Sequence, residues 1–515
     1  MASEETLSTR LIQKKWNSLS MSPGSSGKRN FRPRSSGGTE SSGPSARWLA
    51  FLAIQSFIQR GLFVSKSLDD LFVQFPTLPR DRHFATELAS ETIRRGITID
   101  TILARYVSRP RENVEDELWL LLQLGCCQLL FLPHIPPHAA VNETVALCDR
   151  LQKSRAKGFI NGTLRNLERE ISLLGPVAGE DGANESLSLK SLNSHLLPIF
   201  EFHGSHLGWR TVELPREVFS NPANRPLDYL AEVTSLPVWL MERWGTEVSD
   251  LQKLLARGMW FTTPGRVSLR VNLNRATREE VLQKLQEAEV DAEPGALPES
   301  IVLRGTLSPG EIPIFHDGAF SVQDESAMRA TELLNPQPGE RILDLCAAPG
   351  GKSCHLAERL NGTGQVVACD LSETRLRPIR ENIERLQLKN ITVQRVSGEG
   401  PDSPAGPFDA VLLDVPCSNT GVLGKRPEAR WRITPSTFLD LIPLQRRLLE
   451  DAVQRIRPGG RILYSTCSID AAENSEVVQS FLNAHPEMRL VSQQTHEPGN
   501  PCDGGYQALL VSQEG

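Results

Sequence analysis

From Ala46 to about Glu170, apolar residues recur every three to four positions. Trp48, Leu49, Phe51, Leu52, Ile54 and Phe57 share one helical face, and Phe84, Leu88 and Ile93 follow the same spacing. The stretch Leu118–Leu132 is apolar almost throughout, which predicts the central buried helix of a bundle, ended by the proline-rich break Pro133–Pro137. Asn142–Leu151 and Gly158–Leu167 complete an all-α domain over residues 46–170. Residues 171–226, with Gly175, Gly179, Gly182 and many serines, read as a linker with an ordered part near its end. Leu230–Trp244 and Ser249–Leu255 predict short helices. Alternating Val267–Asn272, helical Arg278–Glu287 and short strands near Ile301–Leu303 and Gly318–Val322 follow, giving a small α+β module over 227–325.

The rhythm changes over 326–515. Arg341–Leu345, Gln365–Cys369, Ile391–Val396, Phe408–Asp414 and Arg461–Ser465 predict apolar strands. Helices at about Lys352–Leu360, Ser372–Leu386, Pro435–Ile456 and Glu473–His485 alternate with them. This pattern predicts an open, mostly parallel, Rossmann-like α/β sheet covered on both faces. Ligands of such sheets sit beyond the carboxyl ends of the strands, which is where the chemistry-bearing clusters fall. The expected fold class is multidomain: all-α, then α+β, then α/β.

The length, 515 residues, suits several domains, and 39% hydrophobic against 23% charged residues gives enough apolar material to fold them. No apolar run approaches the roughly 18–20 residues that cross a bilayer, which removes channels and transporters. Arg10, Lys14 and Lys15 are followed by Ser, Gly and Arg rather than an apolar signal core, so the expected location is cytoplasmic. The net charge of −6 is uneven. Eight basic and three acidic side chains precede Trp48, making that region +5 and the rest −11. Residues 1–45 therefore read as a disordered basic tail, suited either to phosphate contacts or to solubility alone. Nine cysteines without CxxC or His/Cys zinc spacing fit a reducing compartment and no metal site.

The first cluster is Asp344-Leu345-Cys346-Ala347-Ala348-Pro349-Gly350-Gly351-Lys352. Two glycines with small neighbours allow a tight turn that presents backbone N–H groups. Neither the dinucleotide G-x-G-x-x-G nor the phosphate-binding G-x-x-x-x-G-K-[ST] pattern is present. Asp370, ending the second strand, can accept hydrogen bonds from ribose hydroxyls. A ribose-bearing ligand without phosphates to cradle points to S-adenosylmethionine over NAD.

The second cluster sits at the ends of the fourth and fifth strands. The fourth runs into Asp414-Val415-Pro416-Cys417-Ser418-Asn419-Thr420-Gly421, the fifth into Ser465-Thr466-Cys467-Ser468. Two thiols at neighbouring strand exits can face one pocket; singly each reads as a small core residue, while as a pair beside a nucleoside-cofactor turn they suit nucleophilic catalysis at a pyrimidine. C5 of cytosine is too weak a nucleophile to take a sulfonium methyl unaided. A thiolate adding at C6 moves electron density to C5, a carboxyl such as Asp414 can stabilise the activated ring, and a second acid/base group assists release. Spacing leaves open which thiol attacks. Lys425, Arg426, Arg430 and Arg432, interleaved with Trp431, suit phosphate contacts and base stacking or an ordinary solvated surface. The target base must be unpaired or flipped for a thiol to reach C6.

These motifs resemble the bacterial RNA (cytosine-5) methyltransferases of the Sun/Fmu/RsmB group within the Nop/Sun family. The resemblance is carried by DLCAAPGGK at Asp344–Lys352, DVPCSNTG at Asp414–Gly421, and STCS at Ser465–Ser468 followed by Glu473-Asn474. LRVN at Leu269–Asn272, SVQDESA at Ser321–Ala327 and DGGYQALL at Asp503–Leu510 extend it. RDRHFATEL at Arg80–Leu88, IPPHAAVNETV at Ile135–Val145 and KGFINGTLRNL at Lys157–Leu167 look like a NusB-type RNA-binding domain. The resemblance implies methyl transfer from S-adenosylmethionine to C5 of a cytosine, with small-subunit (16S) ribosomal RNA as partner and a monomer without an obligate protein partner. It implies Cys467 as nucleophile, Cys417 as the group assisting breakdown of the adduct, and Asp414 between cofactor and base. Cys346, Ala347, Ala348, Pro349, Gly350, Gly351, Lys352 and Asp370 would surround the cofactor. Two departures stand out. The family's Gly-Asp after the third strand is replaced by Val396-Ser397-Gly398-Glu399, leaving Ser397 as the match for the adenine-binding carboxylate. Ser235-Leu236-Pro237 replaces a common Ser-His-Pro.

Overall fold

In the computed structural model, which describes residues 43–174, 187–203, 206–248, 250–304, 309–397, 404–499 and 502–513, the apolar run at 118–132 forms the helix Asp116–Phe131. Thirteen of its 16 residues are buried, so apolar side chains on every face are the signature of a core helix. Asp100 Oδ1 accepts from Trp119 Nε1 and Gln123 Nε2, both at 2.7 Å, and Gln128 Nε2 donates to Thr144 Oγ1 at 3.1 Å, which pairs the polar side chains this helix takes inside. Around it stand Ala46–Arg60, Val64–Gln74, Pro79–Arg94, Gly96–Tyr106, Pro137–Arg150 and Lys157–Glu170. Ser45 caps the first of these, accepting from Trp48 N, and Gly61 ends it at φ 67°. All but the last three residues of the expected basic tail lie outside the described residues.

The expected linker is in part a sheet. Strands β1 (Ser172–Leu174), β2 (Leu196–His203) and β3 (His206–Glu213) pair in the order β1-β3-β2, with β1 antiparallel to β3. Glycine and serine density hid them, because the signal for a strand is the alternation within these short runs and not the composition around them. The single helix expected at Leu230–Trp244 is two, Pro226–Thr234 and Val238–Glu247. Ser235 turns left-handed (φ 55°) and Pro237 cannot continue the first. By packing, these helices and Leu251–Trp260 fall in the first compact unit. That unit takes in the described residues of Met1–His203 and Leu207–Thr263 together with Pro427–Arg432.

The second unit begins with β4 (Ser268–Val271), β5 (Ala292–Pro294), β6 (Ser300–Leu303) and β7 (Phe320–Val322). They form a four-stranded sheet in the order β5-β6-β4-β7. The helix Arg278–Glu287 enters through a capping box between Thr277 and Glu280. Arg270 on β4 is 1% exposed. Its guanidinium meets both Glu358 oxygens, at 2.7 and 3.0 Å, and the Gly351 carbonyl at 2.9 Å. The small sheet is thereby fixed against the helix Gly351–Arg359 by a bidentate buried pair.

The larger sheet holds β8 (Arg341–Asp344), β9 (Gln365–Asp370), β10 (Ile391–Arg395), β11 (Phe408–Asp414), β12 (Ile456–Thr466), β13 (Met488–His496) and β14 (Gly505–Ser512). Their order is β10-β9-β8-β11-β12-β14-β13. The first five are parallel, as the alternation of strands and helices predicts. β13 and β14 are antiparallel additions that the pattern does not announce, since β13 is a mostly exposed edge whose second half is polar. One apolar core lies on each face, one including Val411, Leu413, Ile462 and Tyr464, the other Ile342, Ala410, Leu412 and Leu463. The alternation within β11 and β12 divides each strand between them.

Candidate active site

Three adjacent strands end together. Register pairs Leu412 with Asp344 and Asp414 with Ser465, so the carboxyl ends of β8, β11 and β12 open on one side of the sheet. The turn after β8 is built on its backbone. Gly350 adopts φ 103°, and a Cβ there would lie 3.1 Å from Ile379, so only glycine suits the position. Ala347 N donates to Cys369 O at 2.9 Å and Ala348 N to Asp370 Oδ2 at 3.0 Å, tying the turn to the end of β9. Cys346, Ala348 and Gly351 are half-buried and Pro349 is exposed, so the outer side of the turn is accessible.

Asp344, fully buried, accepts from Ser353 Oγ at 2.6 Å and Cys346 N at 3.3 Å. Burial raises its pKa to about 7, against the Ser353 hydrogen bond, and Asp414 nearby adds to the rise. Asp370 is 3% exposed, and its oxygens accept from Ala348 N, Leu371 N and the Arg375 guanidinium. Ser397 is exposed just past β10, and Glu399 lies outside the described residues.

The two thiols meet. Cys417 Sγ and Cys467 Sγ are 3.2 Å apart, both half-buried. As a thiol, Cys467 donates to Asn419 Oδ1 at 3.2 Å. Lys352 Nζ donates to Asp414 Oδ2 at 2.8 Å. Burial works against the ammonium, but Asp414 outweighs it and holds Lys352 above its ordinary pKa. The hydrogen bond from Cys417 lowers the Cys467 pKa against burial. Arg426 and Lys352 lower it further, and Asp414 opposes them. For Cys417 the same bond, burial and the Glu473 carboxylate all push the thiol well up. The pair is therefore polarised, with Arg426 and Lys352 countering Asp414 at one sulfur and the Glu473 carboxylate acting on the other. Burial also pushes up Cys126, Cys127, Cys148, Cys346, Cys354 and Cys502.

Glu473, which the sequence reading noted without a role, holds the two cysteine loops together. It is fully buried and accepts from Ser418 N (2.9 Å), Ser418 Oγ and Gln445 Nε2 (3.0 Å). Gly421 N donates to Cys467 O at 2.9 Å. A Cβ at Gly421 would lie 2.8 Å from that oxygen and closer still to Gly504 O, so the loops approach to a distance only glycine permits.

The basic run 425–432 divides. Arg426 is exposed and donates to Asn419 Oδ1 at 2.9 Å. Lys425 Nζ lies between Asp324 (2.6 Å) and Asp503 (3.0 Å). The expectation that Arg430 and Trp431 face a nucleic acid is corrected: they are 1% and 2% exposed inside the first compact unit. Arg432 is also held there, donating to Gly61 O with its guanidinium 4.0 Å from the Phe63 ring. Among the described residues, no cluster of His, Cys, Asp and Glu could hold a metal ion.

Against known proteins, residues 331–510 match the family described as 16S rRNA methyltransferase RsmB/F. Residues 44–169 match the NusB family, and 236–308 the ferredoxin-like domain of RsmF/B-like methyltransferases. A probable ribosomal RNA small subunit methyltransferase B of Synechocystis sp. is 33% identical over 86% of this chain and 90% of its own. The ribosomal RNA small subunit methyltransferase B of Serratia proteamaculans is 32% identical over 91% and 96%. The chain belongs to the RsmB/F family of 16S rRNA methyltransferases. It is an S-adenosylmethionine-dependent RNA (cytosine-5) methyltransferase. The crystal structure of PH0851 shares the fold, with a TM-score of 0.67 and 23% identity over 90% of this chain and 98% of that one. S-adenosylmethionine, which bears a ribose and no phosphates, fits what β8 and β9 present: a glycine turn with an accessible outer side and a carboxylate at the neighbouring strand end. No helix among the described residues is long and apolar enough to cross a membrane.

Proposed function

We propose that this RsmB/F protein methylates a cytosine of small-subunit ribosomal RNA in the cytoplasm, with Cys467 as nucleophile and Cys417 assisting release. The relatives' names support the choice of RNA, and nine free thiols suit a reducing compartment. The observation that carries the residue roles is the polarised pair of sulfurs 3.2 Å apart. The Cys467 thiolate adds to C6, forming the C6–S bond and moving the ring's electron pair to C5. S-adenosylmethionine supplies the methyl group that C5 takes. Loss of the C5 proton then lets the C6–S bond break, and Cys417 assists that release. Asp414, steadied by Lys352, faces the amine edge of the base. Cys346–Lys352 line the cofactor, with Ser397 toward its adenine. Asp370 would take the ribose hydroxyls by exchanging its bond to Arg375, the partner whose side chain is 55% exposed. Residues 46–170 capture the RNA, and Arg426 is the cation of the basic run that remains available to its phosphates.

Replacing Cys467 with Ala should abolish turnover, a loss on the order of 10⁶-fold as for other covalent nucleophiles, with the fold intact. Replacing Cys417 should instead leave an RNA–protein adduct on a denaturing gel. Turnover by C467A, or no adduct with C417A, would overturn the assignment, and bisulfite mapping of small-subunit RNA locates the target.

A further inference from the structure

Asn419 is unusual on two counts. It is a non-glycine residue at φ 63°, a conformation that asparagine tolerates better than other side chains. Its one amide also meets three groups of the site. Oδ1 accepts from Cys467 Sγ at 3.2 Å and from Arg426 Nη1 at 2.9 Å, while Nδ2 donates to Cys417 O at 3.0 Å. The left-handed turn brings the side chain back over both cysteine loops.

We propose that Asn419 is a positioning residue that holds the Arg426 guanidinium beside Cys467 and so sets how readily that thiol ionises. The proposal rests on the reading of Cys467 as nucleophile. Arg426 is exposed, and a long exposed side chain keeps a fixed place only where something holds it. The amide oxygen supplies that hold 3.2 Å from the sulfur. The other groups facing Cys467 are already fixed: Cys417 after β11, Asp414 at its end, and Lys352 on the helix Gly351–Arg359, bound to Asp414. Arg426 is the member of the set whose distance from the sulfur depends on one hydrogen bond to an amide.

The test is alkylation of Cys467 by iodoacetamide in the full chain, read by peptide mass spectrometry as a function of pH. Asn419→Gly keeps the backbone conformation and removes the amide, and Asn419→Ala is the second variant. Loss of the thiol's bond to Oδ1, which favours the neutral form, works the other way, so both should shift the midpoint to higher pH by less than Arg426→Gln does and slow alkylation at pH 7 by about 3-fold. The double variant of Arg426→Gln with Asn419→Gly should shift it no more than Arg426→Gln alone. Unmoved midpoints in both Asn419 variants, or a fully additive double variant, would overturn the role. The nucleophile reading is checked separately. The adduct formed by Cys417→Ala must disappear in Cys417→Ala/Cys467→Ala whatever the Asn419 result, and its persistence would sink that reading.

Discussion

Arg426 and Arg430 stand four residues apart in one basic run, and their surroundings are opposites. Arg426 is exposed and held by one amide oxygen. Arg430, in the first unit, donates to Arg94 O (2.6 Å), Thr234 O (3.5 Å), Ser235 O (3.2 Å) and Phe261 O (2.8 Å). Those carbonyls close the helices Pro79–Arg94, Pro226–Thr234 and Leu251–Trp260. Three helix C-termini thus converge on one guanidinium, which meets both the carbonyls of their last turns and the negative ends of their dipoles. Trp431 Nε1 adds Ile93 O at 3.0 Å. Composition in such a run says only that cations are present. Whether a cation meets solvent or a set of helix-end carbonyls is decided by residues more than a hundred positions away.

The comparison breaks most directly at Arg430. Arg430→Met fills the space but leaves four carbonyl oxygens without their donor, and should lower stability by about 3–5 kcal/mol. A urea unfolding midpoint unchanged from the parent would show that water replaces the guanidinium and that the buried role is incidental. A smaller effect is expected one step out. A Cβ at Gly96 would lie 2.6 Å from the Trp431 ring, so Gly96→Ala should cost about 1–3 kcal/mol through overpacking. Combining it with Trp431→Phe should recover part of that loss. Full additivity of the two would mean that Gly96 is small for a reason other than the indole.

What the sequence carried and what it did not follow the same line. Strands β8 to β12 and the turn Cys346–Lys352 were legible, because apolar strands and paired glycines are local signals, and their backbone needs little from elsewhere. The meeting of Cys417 and Cys467 was legible once both were placed at strand ends. The polarity of that pair was not, since it depends on Lys352, Arg426 and Glu473 arriving from separate segments. Glu473 was visible as a motif residue and Asn419 as a loop residue. Their hydrogen bonds to Ser418 and Cys467 span 55 and 48 positions, a separation no periodicity reports. β13 was missed because an exposed edge strand has no buried face to impose alternation.

The smallest expected effect on stability belongs to Arg426, and it sharpens the comparison. Arg426→Gln removes an exposed charge with one hydrogen bond, so unfolding should move by no more than about 0.5 kcal/mol. Its effect should appear in the pH profile. If Cys467 is the nucleophile proposed above, methyl transfer needs it as thiolate, and a nearby cation favours that form, so the rate rises through a pH lowered by Arg426. Removing the cation shifts the acidic limb of kcat/KM toward higher pH. Salt supplies a second signature. Screening acts on an exposed charge far more than on the Lys352–Asp414 pair, whose ammonium side chain is 17% exposed. Raising ionic strength should therefore shift the limb upward in the parent and barely in Arg426→Gln. An identical salt response in both would mean that the buried pair alone sets Cys467, leaving Arg426 to the RNA phosphates.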